Sequence, residues 1–242
     1  MRNDSIKKKR SHLVEWATIL LVVLVLFLSA LLHIRQAALL TLLTAFLASV
    51  PFFLHFERQR PRPRDIMPIV VMATIATVGN LLFGPIPSFK PVGAIVIVTG
   101  ISFGRQSGYV TGALAAFSSN LLFGQGAWTP WQMFGWGLVG YLAGVFEEKG
   151  WFRRPAMVYI YAFLSGFLFG FLLDTWHIIG FVQPVTWQNA LLAYGAGLPM
   201  NATLAVATVL FLIPVLRPWT MKLERVKRKF GLLDDRQELS PM

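Results

Sequence analysis

The sequence predicts an all-α integral membrane protein, with a six-helix body, a preceding two-helix hairpin, and both termini in the cytoplasm. Three observations predict it. Hydrophobic residues make up 55% of the 242-residue chain and charged residues only 14%, whereas soluble domains carry about a quarter. Apolar runs recur at 13–32, 37–56, 66–83, 92–103, 108–123, 131–146, 155–173 and 190–216, against the roughly 17–25 residues that a spanning helix needs. If these eight runs alternate across a bilayer from an inside start, 20 of the 22 lysines and arginines fall on the inner side and only Arg35 and Lys90 outside. That bias is the one the positive-inside rule describes. The formal charge of +11 is therefore read as membrane topology, with the lipid bilayer as partner and no nucleic acid.

The elements follow in order. Residues 1–57 hold a basic start, Lys7-Lys8-Lys9-Arg10, and the hairpin built from runs 13–32 and 37–56. The first run resembles a signal peptide, but it exceeds the usual apolar length and a second run follows at once, which predicts a retained helix. With hardly a polar residue at mid-span, the hairpin reads as an accessory anchor. At 58–65, alternating Arg and Pro predict an extended cytoplasmic linker, because Pro breaks helices and like charges repel.

Residues 66–216 form the predicted body. Asn80-Leu81-Leu82-Phe83-Gly84 is echoed by Asn120-Leu121-Leu122-Phe123-Gly124, which predicts two outward helices, each ended by a left-handed Gly. The run at 92–103 is too short to span unaided. Thr129-Pro130-Trp131-Gln132 predicts a helix start with Thr129 as N-cap and Gln132 closing a capping box. Thr186 is the matching cap in the last outer loop, and both starts place Trp131 and Trp187 at the outer rim. Gly140-xxx-Gly144 and Gly166-xxx-Gly170 predict close helix packing. The basic stretch within 217–242 predicts a cytoplasmic tail anchored on lipid.

Several chemistries are excluded or unsupported. Without cysteine there is no disulfide, thiolate nucleophile or Cys-based metal site. There is no P-loop for ATP, no His-Glu-x-x-His and no Gly-x-Ser-x-Gly elbow. Charges inside the spans are nearly missing, which argues against an ion-coupled carrier working alone. Neither a metal site nor a cofactor is expected. Asp174 and His177 stand three apart and could share a helical face as an acid–base pair. Because a third ligand or a nucleophile is lacking, the simpler reading is a hydrogen-bonded rim pair.

The outer ends carry Trp128, Trp131, Trp176 and Trp187. An interfacial aromatic belt explains part of that set. It does not explain Asn80, Asn120, Gln125, Gln132, Gln183 and Asn201 beside them. Irregular polar backbone at membrane depth needs cover from protein or a water-filled cavity, so the break at 124–133 suggests a ligand mouth. Tryptophan faces with uncharged amides suit a large, largely neutral, ring-containing ligand.

Residues 89–100 (Phe-Lys-Pro-Val-Gly-Ala-Ile-Val-Ile-Val-Thr-Gly), 112–120 (Gly-Ala-Leu-Ala-Ala-Phe-Ser-Ser-Asn) and 124–133 (Gly-Gln-Gly-Ala-Trp-Thr-Pro-Trp-Gln-Met) resemble an S component. S components are the substrate-binding membrane subunits of energy-coupling factor vitamin transporters. Residues 174–177 (Asp-Thr-Trp-His) and 193–199 (Ala-Tyr-Gly-Ala-Gly-Leu-Pro) continue the likeness, which spans 66–216 and is nearest the cobalamin-type branch. The resemblance implies a six-helix vitamin binder in a prokaryotic plasma membrane. It would have no ATPase of its own and would work with a transmembrane coupling subunit and two ATPase subunits. Substrate would bind outside and leave inward, and the predicted topology, through outer loops and helix ends, places Lys90, Asn120, Gln125, Trp128, Trp131, Gln132, Trp176, His177 and Asn201 at that face. The family's Ala-x-x-x-Ala docking face is approximated here by Ala73-x-x-x-Thr77. Two other readings stay open: a membrane-embedded enzyme using Asp174 and His177, and a structural membrane protein.

Overall fold

The computed structural model describes residues 37–58 and 62–232, which form seven α-helices, one 3₁₀ turn and no strand. These are α1 (Ala37–Arg58), α2 (Pro63–Leu82), α3 (Val92–Phe103), α4 (Arg105–Phe123), α5 (Thr129–Glu148), the 3₁₀ turn Trp151–Arg153, α6 (Pro155–Phe181) and α7 (Trp187–Phe230). The expected helix at 13–32, the basic start, and the segments 59–61 and 233–242 lie outside the described residues.

Three helices, α2, α6 and α7, are long and apolar enough to cross a membrane. Of the eight runs that the sequence pattern suggests, 13–32 lies outside the described residues and the side chains of 37–56 are only partly described; for α3, α4 and α5 the difference has a physical origin. α4 and α5 have the length, 19 and 20 residues, but the interior face of α4 carries Gln106, Ser107, Thr111, Ser119 and Asn120 beside its glycines, and that of α5 carries four glycines. They pack on each other more extensively than any other helix pair. α3 has 12 residues, about 18 Å, and is buried along almost its whole length. Its first turn already meets the middle of the bundle. A Cβ on Gly93 would lie 2.8 Å from Thr208 Oγ1 and 3.2 Å from the Trp136 ring, and Trp136 sits about 10 Å down α5 from its start. The loop 83–91 therefore enters the bundle before α3 begins.

Glycine makes this central packing possible. A Cβ on Gly140 would stand 2.3 Å from the Gly108 carbonyl oxygen, and one on Gly108 would stand 2.5 Å from the Gly140 carbonyl oxygen. Gly100 approaches the same Gly140 oxygen, and Gly112 meets the backbone of Trp136. α3, α4 and α5 thus touch backbone to backbone, as small-residue spacings allow in lipid. Gly166 meets the Ala205 backbone and Gly170 the Asn201 side chain, closing α6 on α7.

Other expectations shift. The stretch read as linker shortens, because α2 starts at Pro63, with Pro in its favoured first-turn place and the Asp65 carboxylate accepting the Arg62 backbone N–H at 2.9 Å. Gly124 follows α4 at φ +113 and ψ 131, open to glycine but not the expected left-handed cap, and Gly84 does not take a positive φ. Gly84 is instead pressed on the Phe123 ring, 3.0 Å from where its Cβ would stand. The basic residues at 217–229 do not form a loose tail, because α7 runs 44 residues to Phe230 and stops at Gly231 in the left-handed conformation. Lys227 Nζ donates to the Ser102 carbonyl at 3.4 Å, tying this extension to the C-terminal end of α3.

α1 does more than anchor. Phe52 is fully buried, stacks on Tyr109 at 4.1 Å and meets Tyr141 edge-on at 5.2 Å. Ala45 and Ala48 pack into the same core cluster, which also holds Trp131, Phe134 and Leu172.

Adjacent helices alternate in direction, so Arg64, Arg105, Lys149 and Arg153 gather at one end of the bundle and the tryptophan–amide break at the other. At the basic end Arg105 pairs with Glu148 at 3.5 Å. The outward surface is apolar, with Val70, Val71, Val78, Leu164, Phe171 and Leu210 exposed, as lipid requires.

Two substitutions test this packing. Gly140→Ala is expected to destabilise the protein by about 1–3 kcal/mol, because its methyl meets backbone that cannot yield. Gly195→Ala, with nothing within 4 Å, should stay within about 0.5 kcal/mol. Thermal unfolding in detergent separates them, and equal effects would contradict backbone contact. Phe52→Ala is expected to cost about 3–5 kcal/mol in the same assay, and no loss would return α1 to an anchor.

Candidate functional site

The amides of the break form a small ladder rather than isolated caps. Asn120, buried in the last turn of α4, donates through Nδ2 to Gln132 Oε1 at 2.8 Å and to Thr129 Oγ1 at 3.2 Å. Thr129 also accepts the Gly126 backbone N–H at 3.3 Å. This corrects the expected helix start. Thr129 is the first residue of α5, with Trp128 as N-cap and no side-chain cap, and Gln132 turns to Asn120 instead of closing a capping box. Thr186, in contrast, does cap α7 by accepting from Asn189 N at 3.2 Å. One level away, Asn80 Nδ2 donates to Ser119 Oγ at 3.1 Å, so the two echoed asparagines stand on neighbouring helices at one end.

The tryptophans divide. Trp128 is 39% exposed and meets Trp176 of α6 edge-on at 6.4 Å, bridging the break to the neighbouring helix. Trp131 is not at the rim, because its ring is fully buried in the cluster shared with α1. Trp187 does lie on the surface, 70% exposed. The indole N–H groups of Trp131 and Trp176 and the Asn80 Oδ1 are buried without a hydrogen-bond partner. A buried polar group left unmade costs about 1–3 kcal/mol, but the Ser102 and Thr111 hydroxyls farther along the bundle are buried in the same state, so it is the amide ladder with the Trp128–Trp176 contact that distinguishes this end.

A second polar network, not foreseen from the residues alone, joins α6 to α7. Asn201 Nδ2 donates to Asp174 Oδ2 at 2.7 Å, and the hydroxyls of Thr175 and Tyr194 lie 2.7 Å apart. Gly197 lets the Asp174 carboxylate lie against α7, since its Cβ would fall 2.5 Å from Oδ2. The signal was present in the Ala-Tyr-Gly-Ala-Gly run at 193–197, but only pairing with α6 gives it meaning. Asp174 is thus engaged by Asn201, while His177 is exposed and stacks on Phe181 at 5.5 Å. The expected acid–imidazole pair is not formed. Among the described residues no three His, Asp or Glu side chains gather as a metal site would need.

The loop 83–91 links the two networks. Its Ser88, at φ 57, donates to Met200 Sδ of α7 at 3.6 Å. Its Lys90 places Nζ 5.2 Å from the centroid of the Phe123 ring at the end of α4. Partial burial holds the Lys90 ammonium below the usual lysine range. Gln125 does not join the ladder. It is exposed and donates to the Phe117 carbonyl at 3.3 Å. The structure therefore brings together Asn120 with Gln132, Trp128 with Trp176, and Asn201 with Asp174, and leaves Gln125 and His177 on the rim. Ala73 and Thr77 are also placed otherwise than a docking face requires. Both are buried, and Thr77 Oγ1 lies 3.5 Å from the Ala115 carbonyl of α4. The outward face of α2 is instead Met67, Val70, Val71, Thr74 and Val78.

No family model matches the chain, and no solved structure matches it. Two curated proteins do, the UPF0397 proteins of Aliivibrio fischeri strains MJ11 and ATCC 700601 / ES114. Each is 26% identical over 140 residues, covering 51% of this chain and 74% of the relative. The chain is distantly similar to these UPF0397 proteins over about half its length.

Proposed function

We propose that this protein is the substrate-binding membrane subunit of an ATP-driven energy-coupling factor importer for a vitamin or related micronutrient. It sits in a prokaryotic plasma membrane, binds its substrate at the outer face and releases it inward with a coupling subunit and two ATPases. One observation carries the reading: the Trp128–Trp176 edge contact stands beside the Asn120–Gln132 amide ladder, with buried indole N–H donors unpartnered. Aromatic faces give a ring-bearing ligand contact area, and the few amide and indole groups fix its orientation. The S-component resemblance points to a corrinoid, whose amide-bearing periphery suits such donors and acceptors. The apolar helices and the distant UPF0397 relatives are compatible with a transport component, and the missing ATP motif fits a subunit that borrows its energy. Docking on the coupling subunit would use the exposed side of α2, since Ala73 and Thr77 are turned inward. An enzymatic role for Asp174 and His177 is not proposed, because a catalytic acid–base pair must share a proton path and each side chain is held by another neighbour.

Mass spectrometry of small molecules retained on the purified chain is expected to reveal one ring-containing micronutrient. Trp128→Ala and Trp176→Ala should each weaken its binding by about tenfold or more, on the order of 1.4 kcal/mol. His177→Ala should leave it within about twofold. Unchanged affinity in both tryptophan variants would remove the site from this end of the bundle. Affinity purification from the native host should also recover ATPase subunits with the chain, and uptake that persists without any such subunit would contradict the coupling.

A further inference from the structure

One helix, α7, touches both ends of the short α3 and the loop that precedes it. At the polar end Met200 Sδ accepts from Ser88, and the Phe83 and Phe89 rings pack on Phe211 at 4.8 and 5.1 Å. Midway, Thr208 fills the space beside Gly93 in the first turn of α3. At the basic end Lys227 Nζ donates to the Ser102 carbonyl, in the last turn of α3. These contacts are strung along about 40 Å of a single helix.

Lys227 differs from the other cations of the α7 extension. Trp219, Leu223 and Lys227 recur every fourth residue and share one face. Trp219 and Leu223 pack against the main core cluster, so that face is turned to the bundle. Arg217, Lys222, Arg225, Arg228 and Lys229 are all exposed. The last turn of a helix leaves backbone carbonyls without intrahelical partners. α3 has no basic residue in its last turn and no side-chain cap at its start. A cation at a helix C-terminus offsets the partial negative charge gathered there. Lys227 supplies from another helix what the α3 sequence lacks.

α3 in turn supports the loop 83–91. Pro91 leads directly into α3 and is pressed on Gly79 of α2, 2.5 Å from where a Cβ would stand. The other side of the loop rests on Phe123 of α4, through Gly84 and the Lys90 ammonium. Phe123 is one turn from Asn120 and its amide ladder. A shift of α3 relative to α7 therefore moves the loop against Phe123, through direct contacts at every step.

We propose that Lys227 is a positioning residue for the polar end: by holding the C-terminal end of α3 to α7, it keeps the loop 83–91 seated against Phe123. Loss of the contact frees the loop, so the basic extension of α7 and the candidate ligand site are mechanically joined. The consequence for a ligand rests on the function proposed above. The seating of the loop does not, and it is measurable with no ligand present.

The chain has no native cysteine, so spin labels can be placed on Ile86→Cys in the loop and Leu122→Cys at the end of α4, both exposed. Electron paramagnetic resonance of the full chain in detergent then reads the distance between loop and α4. Lys227→Gln is expected to raise the population of longer distances about threefold, the effect of one cation at a helix C-terminus. Lys227→Met, which keeps the packing of the stem, should act alike, and Lys227→Arg should restore the original distribution. Arg225→Gln removes an exposed charge from the far face of the same helix and should change nothing. A second label pair, Leu122→Cys with the exposed Leu164→Cys of α6, should also stay constant. Identical loop distances in the unaltered protein and in both uncharged Lys227 variants would overturn the proposal. So would an equal response to Arg225→Gln, or a parallel change in the second pair, which would mean general loosening of the bundle.

Discussion

Gly108 and Gly140 face one another so closely that a methyl on either would sit 2.3–2.5 Å from the other's backbone. Every larger feature of the bundle is laid out from that contact. In lipid there is no hydrophobic drive to press helices together, so dispersion contacts between close backbones must hold them. With α4 and α5 in register, Asn120 meets Gln132 at one end and Arg105 meets Glu148 at the other. The short α3 fits only because Gly100 lets it approach the same glycine step, and the loop 83–91 is thereby drawn into the bundle.

This arrangement separates two chemistries along one axis. The end with the break collects amides, indoles and one engaged carboxylate. The opposite end collects arginines and lysines. A close-packed centre with almost no charge among its described residues fits the proposed role of a subunit that moves as a unit within lipid, because buried charge would resist any change of depth or tilt.

Much of the fold was legible in the residues, and the failures are instructive. Helix starts that depend on local chemistry were readable, as at the Thr186 cap. Gly140 and Gly166 announced close packing through spacing alone. Features that depend on a distant partner were not. Thr129 reads as a cap until Asn120 claims its hydroxyl, and Trp131 reads as a rim residue until α1 covers it. Asp174 with His177 looks like a pair along one helix, yet Asn201 from another helix takes the carboxylate. Apolar runs also do not reveal what covers each helix, since α3 is buried along almost its whole length by neighbouring helices. The candidate site was therefore visible as a set of residue types at 120–132 and 174–176, while its pairings were not.

Sidedness is the claim on which uptake rests, and the absence of native cysteine makes it directly measurable. Gln125→Cys and Lys149→Cys, introduced singly, would be exposed to a membrane-impermeant thiol reagent on intact cells. The account predicts labelling at position 125, reduced when the substrate is present, and none at position 149 until the membrane is opened. Labelling at 149 with silence at 125 would turn the molecule over and contradict a receptor that gathers its ligand from outside.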